Sequence, residues 1–227
     1  MPEYGGYDSR RHHALAALTS VHEAVATDGR PGRFALKIFH PPASTDVRRL
    51  YAIEGWLVAA ERQRDAAKSG GIAVLEVLAC GRCAEGAFMV TPWIDHAFEP
   101  LVETMTAKGD FLRAMAECLL AGLAGWEKQF GGPHGRLKPG NVFLSGSGAL
   151  SSLTAQFSDP WFLPRAKPED LRARDLATIG AMLVQVVRRR SASGWPIEEA
   201  PEWRSLGRAG SAWLAYCNYL LNPQPAA

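Results

Sequence analysis

The sequence predicts an α+β chain, with a small β-rich first half carrying one main helix and a mostly helical second half. Three observations carry this. Short apolar runs bounded by glycine and proline turn signals crowd the first 95 or so residues. Beyond them apolar residues recur at spacings of three and four. An apolar content of 47% is enough for a substantial core, while 21% charged residues argues against wholesale disorder. The 227 residues suit one large domain or two small lobes sharing a cleft.

The opening stretch carries glycine and polar residues without periodicity, so residues 1–13 read as a flexible tail. Residues 14–18 suit helix or strand equally. Val21 to Ala26 leads into Asp28-Gly29, a hairpin turn signal, and then into the strand Arg33 to Phe39, which Pro41-Pro42 ends. From Asp46 to Lys68, Val47, Leu50, Ile53, Leu57 and Ala60 fall on one helical face, and Ser69-Gly70-Gly71 stops the helix. Strands are expected over Ala73 to Ala79 and Ala87 to Trp93. In the second half Asp110 is a fair N-cap for a helix to about Gln129, closed by Gly131-Gly132-Pro133. Two short strands, Asn141 to Leu144 and Ala155 to Phe157, flank a Ser/Gly-rich loop. Helices over Pro168 to Arg190 and Pro201 to Leu221 complete the chain.

A formal charge of +2, with basic residues spread along the chain, gives no footprint for nucleic acid or a membrane surface. The chain shows neither an apolar run of membrane-spanning length nor a signal peptide's apolar core, and a cytoplasmic location is the default. Cys80-Gly81-Arg82-Cys83 is half of a zinc pattern or a redox pair. With no second C-x-x-C or paired histidines, two reduced cysteines in a hairpin turn is the better reading.

The stretch His134 to Asn141 reads H-G-R-L-K-P-G-N. It resembles the catalytic loop of protein kinases, H-R-D-L-K-P-x-N. Phe34-Ala35-Leu36-Lys37 resembles the strand whose lysine pairs with nucleotide phosphates and a helix glutamate. Asp159-Pro160-Trp161 stands where that family has D-F-G, and Asp175 resembles a buried Asp that braces the catalytic loop. The resemblance covers nearly the whole chain from residue 14. It implies a two-lobed protein kinase-like fold, with an N-lobe at 14–95 and a reduced C-lobe at 96–227, one kinase-like domain read as cut from a longer protein because Asn222-Pro223 resembles a segment near the end of kinase domains.

By the same resemblance Lys37 would meet phosphates, with Glu61 as its helix partner and Glu54 the alternative. Val21, Ala35, Thr91, Trp93 and Phe143 match positions around an adenine in the interlobe cleft, and Lys138 matches the lysine at the transferring phosphate. Asn141 and Asp159 would hold Mg²⁺ if a nucleotide binds. An edge-strand lysine facing water is the plain alternative for Lys37, and an ordinary turn starter for Asp159-Pro160.

The departures point away from phosphotransfer. Arg136 occupies the position of the Asp that accepts the substrate's proton, and a guanidinium cannot accept one. It is read as salt-bridging a neighbour in a repurposed loop. Ala14, Ala16 and Thr19 stand where the phosphate loop has glycines, so Cβ atoms crowd the cradle. Pro160 should hold Asp159 extended and hamper the segment's swing. The short span from Asp159 to Asp175 leaves little room for a phosphorylated loop.

The expectation is a pseudokinase of bacterial type, a protein-interaction or regulatory module with no catalytic residues and no required cofactor. Its partner would be a protein or other domains of a longer chain, with ATP and Mg²⁺ as the ligand the cleft could still take. The enzyme alternative is a divergent ATP-dependent transferase of phosphoryl or nucleotidyl groups that works without the usual Asp.

Overall fold

In a computed structural model of the protein, residues 4–43, 45–95, 97–98, 102, 108–146, 152–159, 167–192 and 194–222 are described. The chain divides into two units, Met1–Asp95 and His96–Ala227.

The first unit is a five-stranded antiparallel sheet with one helix. β1 (Tyr7–Ala16), β2 (Thr19–Ala26), β3 (Phe34–Phe39), β4 (Ala79–Cys83) and β5 (Gly86–Pro92) lie in the order β1-β2-β3-β5-β4. Gly29 supplies the left-handed backbone (φ 77°) at the β2–β3 turn, and the Asp28 carboxylate accepts the Arg30 amide there. One face of the sheet buries Leu36, Ile38, Phe88 and Val90 under Tyr4 and Tyr7. The other packs Phe39, Ala87 and Met89 against Ile53 and Ala60 of α1 (Asp46–Lys68).

Three expectations need correction in this unit. Residues 4–13 are not a tail: Tyr4 and Tyr7 are buried, their rings edge-on to Phe88 and Phe34, and Tyr7 opens β1. The sheet's apolar outer face needs this cover. The alternating pattern was hidden because β1 is an edge strand whose pairing shifts register between Ser9 and Arg11 and again between His12 and Ala14. The strand expected at 73–79 begins only at Ala79. Leu75 and Val77 are buried outside any strand, and the Gln63 side chain donates to the Leu75 carbonyl at 2.8 Å. Finally, Val47 and Leu50 of α1 are exposed, because its contact with the sheet runs from Ile53 onward through Ala60, Gln63 and Ala66.

Cys80 and Cys83 lie on β4, three residues apart and therefore on opposite faces. Cys80 packs with Ala60 and Met89, Cys83 with the Tyr4 side. Side chains aimed apart cannot form one disulfide or share one ion. All four cysteines are free, and no group of His, Cys, Asp or Glu among the described residues is arranged to hold a metal.

The second unit is built on α2 (Gly109–Phe130), the hairpin of β6 (Val142–Ser145) and β7 (Thr154–Phe157), α3 (Pro168–Arg188), the single turn α4 (Pro201–Arg204) and α5 (Gly210–Leu221). α2 begins at Gly109, so Asp110 sits in its first turn and not at the cap, and Gly131 (φ 70°) ends it in the left-handed conformation. Gly122 lets the hairpin approach α2: a Cβ there would lie 3.1 Å from the Ala155 carbonyl and the Phe157 ring. Gly180 does the same for α3 against Leu220 of α5.

The single helix expected at 201–221 is broken. Gly207 takes φ 65°, and the Trp203 carbonyl sits where a Cβ on Gly210 would be, so the chain turns back over the buried Trp203. No described helix is long and apolar enough to cross a membrane.

Candidate functional site: the His134–Asn141 loop and the Lys37 strand

The loop between α2 and β6 is held from three sides. His134 is fully buried, tilted against the Trp126 ring at 4.6 Å and edge-on to Phe157. Its Nε2 lies 2.8 Å from the Ser158 carbonyl, and its Nδ1 lies 3.3 Å from the Arg136 amide. A carbonyl can only accept and an amide can only donate, so the ring is the neutral Nε2–H tautomer. Burial pushes its pKa down to about 4, which agrees.

Asp175, reaching up from α3, is buried. Its carboxylate accepts the Gly135 amide at 2.9 Å and the Leu137 amide at 3.3 Å. Burial raises its pKa although these amides pull the other way. Gly135 itself requires a left-handed backbone (φ 74°) to turn both amides toward one carboxylate.

Downstream, Lys138 is extended and precedes a 3₁₀ turn, Pro139–Asn141. Asn141 is buried. Its Nδ2 donates to the Arg136 carbonyl at 3.3 Å, and its own carbonyl accepts the Ser158 amide at 3.1 Å. That leaves its Oδ1 without a hydrogen-bond partner among the described residues. A buried amide oxygen so placed is an unsatisfied acceptor, costing roughly 1–3 kcal/mol unless a ligand, ion or water meets it.

Asp159 follows β7 in a left-handed conformation (φ 60°), not the extended one expected before a proline; Asp tolerates this region better than most residues. Pro160 and Trp161 lie outside the described residues, as do the residues from Pro223 on. Phe143 is half-buried on β6, bridged to Ala97. Arg136 is half-buried, its main chain committed at both ends to His134 and Asn141.

In the first unit, Lys37 pairs in register with Val21 on β2 and Met89 on β5, and Ala35 with Thr91. Leu36 and Ile38 belong to the Tyr-covered face, so alternation puts Val21, Ala35, Lys37 and Thr91 on the face that carries α1. These four are brought together. Trp93 is held elsewhere, beyond the strand, under the Arg33 guanidinium at 4.6 Å and against His13, with its Nε1 donating to Asp95. Glu61 is exposed on α1, and Glu54 pairs with Arg82 on β4. The polar side chain that α1 does bury is Gln63. Sequence reasoning passed over it because a glutamine at an apolar spacing carries no motif.

The hairpin tip is short. β1 and β2 are joined by only Ala17 and Leu18, with Ala16 paired to Thr19 and Ala14 to Val21. Residues 14–19 thus form ladder and tight turn, with Ala14, Ala16 and Thr19 all carrying a Cβ where a phosphate cradle has glycines.

No family model and no curated protein matches this chain. Two crystal structures of the PknI kinase domain of Mycobacterium tuberculosis, a single and a double mutant, are similar to it, each with a TM-score of 0.59 at 16% identity. They cover 98% of this chain, and it covers 90% and 89% of theirs. The chain therefore has a protein kinase-like fold, a small antiparallel sheet with one helix followed by a helical half.

Proposed function

We propose that this chain is a catalytically inactive pseudokinase that serves as a protein-interaction or regulatory module. Arg136 carries the reading. It occupies the turn where phosphotransfer needs a carboxylate, and a guanidinium there neither accepts a proton nor tolerates a neighbouring cation. The β1–β2 tip supports it, since Ala14, Ala16 and Thr19 put Cβ atoms where glycines would let phosphates approach the backbone closely. The partner is another protein or another domain of a longer chain, in a cytoplasmic setting.

Residual nucleotide binding belongs to the same reading. The buried, unpartnered Oδ1 of Asn141 suits a hard cation, and Asn141 with Asp159 would hold Mg²⁺ while Lys37 would meet phosphate. When bound, the metal would neutralise phosphate charge; the residues themselves only position and bind. That same oxygen keeps the transferase alternative in view.

One experiment separates the two. The chain is incubated with ATP and Mg²⁺ or Mn²⁺, labelled at the α or the γ phosphate, and thermal shift and label incorporation are read together. The pseudokinase reading expects no incorporation from either label, with or without a shift. Incorporation that disappears in Lys37→Ala and Asp159→Ala would establish a transferase instead.

A further inference from the structure

We propose that the groove between α2 and α5 is a self-association surface that takes a second copy of this chain about a two-fold axis. The groove encloses about 390 Å³ and is lined by Arg113, Ala116, Glu117 and Leu120 of α2 and, facing them, by Trp213 and Tyr216 of α5. None of these residues belongs to the His134–Asn141 loop or the Lys37 strand.

α5 has more apolar surface than its own unit covers. Its twelve residues, GSAWLAYCNYLL, include no charge, yet it buries only Gly210, Cys217 and Leu220. Trp213 and Tyr216 are half-buried along the groove, and Tyr219, nearly one turn further on, is 71% exposed. A charge-free helix with three aromatic rings on its open side has the residue types of an interface core.

The charges of the opposite wall identify the occupant. Arg113 and Glu117 are four residues apart and both exposed, one turn apart on the same strip of α2. Glu117 makes no ion pair with any described residue. Among the described residues Arg113 meets only Asp110, at 3.7 Å and in the open, where such a contact contributes little. A strip that reads plus then minus is its own complement when a copy is laid across it antiparallel. A two-fold axis passing between the two residues sets each Arg113 against the partner's Glu117 and repeats the pair on the other side. The aromatic rings of α5 then flank the crossing on both sides.

The test is the mass of the 227-residue chain by sedimentation equilibrium, from low to high micromolar concentration. The mass should rise from that of one chain to that of two. Arg113→Glu sets Glu against Glu and should weaken the dimer by about ten-fold or more, as should Glu117→Arg. The double swap, Arg113→Glu with Glu117→Arg, re-forms both pairs and should restore the dimer. Thermal melts of the three variants separate lost association from lost folding, and the rescue itself cannot come from a misfolded chain. A single-chain mass at every concentration overturns the proposal, as does a dimer indifferent to either swap or not restored by the pair.

Discussion

The His134–Asn141 loop in the helical unit and the β1–β2 tip in the sheet unit depart from the kinase sequence pattern in different ways. The loop keeps a braced internal architecture around an altered sequence position. His134, Asp175 and Ser158 make their bonds, Asn141 makes its own through Nδ2 and its carbonyl while its Oδ1 stays unpartnered among the described residues, and Arg136 stands where the kinase pattern has an Asp. The tip has no comparable architecture, since residues 14–19 collapse into ladder and a two-residue turn. The difference is burial. The loop's polar groups lie in the core of their unit, where each unmade hydrogen bond costs the fold. The tip is solvent-facing, with Leu15 74% exposed, so nothing in the packing demands a cradle there. A buried loop can thus hold its shape for the sake of the fold alone, whatever its chemistry.

The largest expected effect breaks the loop's bracing. Asp175→Ala strands the Gly135 and Leu137 amides in a buried setting, and at roughly 1–3 kcal/mol for each orphaned donor the loss should be about 4 kcal/mol. Asp175→Asn keeps one acceptor and should lose about half as much. Urea unfolding followed by tryptophan fluorescence reads both. A loss below about 1 kcal/mol for the alanine variant would mean that the carboxylate does not hold the loop.

The next effect depends on pH. Folded His134 has a pKa near 4, below the unfolded value near 6.5, so the folded state binds fewer protons across that window. The stability it contributes is fully present above pH 6.5 and is lost as pH falls toward 4, by about 3 kcal/mol in total. Stability measured from pH 7 to pH 4 should fall less steeply in His134→Gln than in the parent chain. His22 on β2 is also held below its usual range by burial and by His12 and His40, and it adds a smaller slope of the same sign. The comparison with His134→Gln isolates the loop's share, and equal slopes in the two proteins would refute the assignment.

How much of this was legible in sequence follows the same division. The loop, β3, the span of α1 and the bracing Asp175 could be read because each combines a motif with an apolar setting, as Lys37 does between Leu36 and Ile38. β1 could not, because bulges disrupt its alternation and its cover comes from Tyr4 and Tyr7, whose role depends on a sheet face assembled from residues far along the chain. The expected apolar face of α1 failed at Val47 and Leu50 for a related reason: periodicity gives a stripe but not where along the helix its support begins. Trp93 was assigned by motif position, yet two of the partners that hold it, Arg33 and His13, are distant in sequence. The break at Gly207 was hidden because glycine tolerates both the helix and the turn that ends it.

The smallest effect tests the sheet unit by the same logic. Glu54 and Arg82 join α1 to the edge strand β4, and both side chains are about half exposed (51% and 54%). Water and salt screen such a pair, and its net worth is on the order of 0.5 kcal/mol or less. Glu54→Gln should therefore shift the unfolding midpoint barely beyond error, and the shift should vanish in high salt. A cost above about 1.5 kcal/mol that persists in salt would show that α1 is pinned to the sheet by charge. Burial would then not be what separates the two units, and the tip's missing cradle would need another explanation.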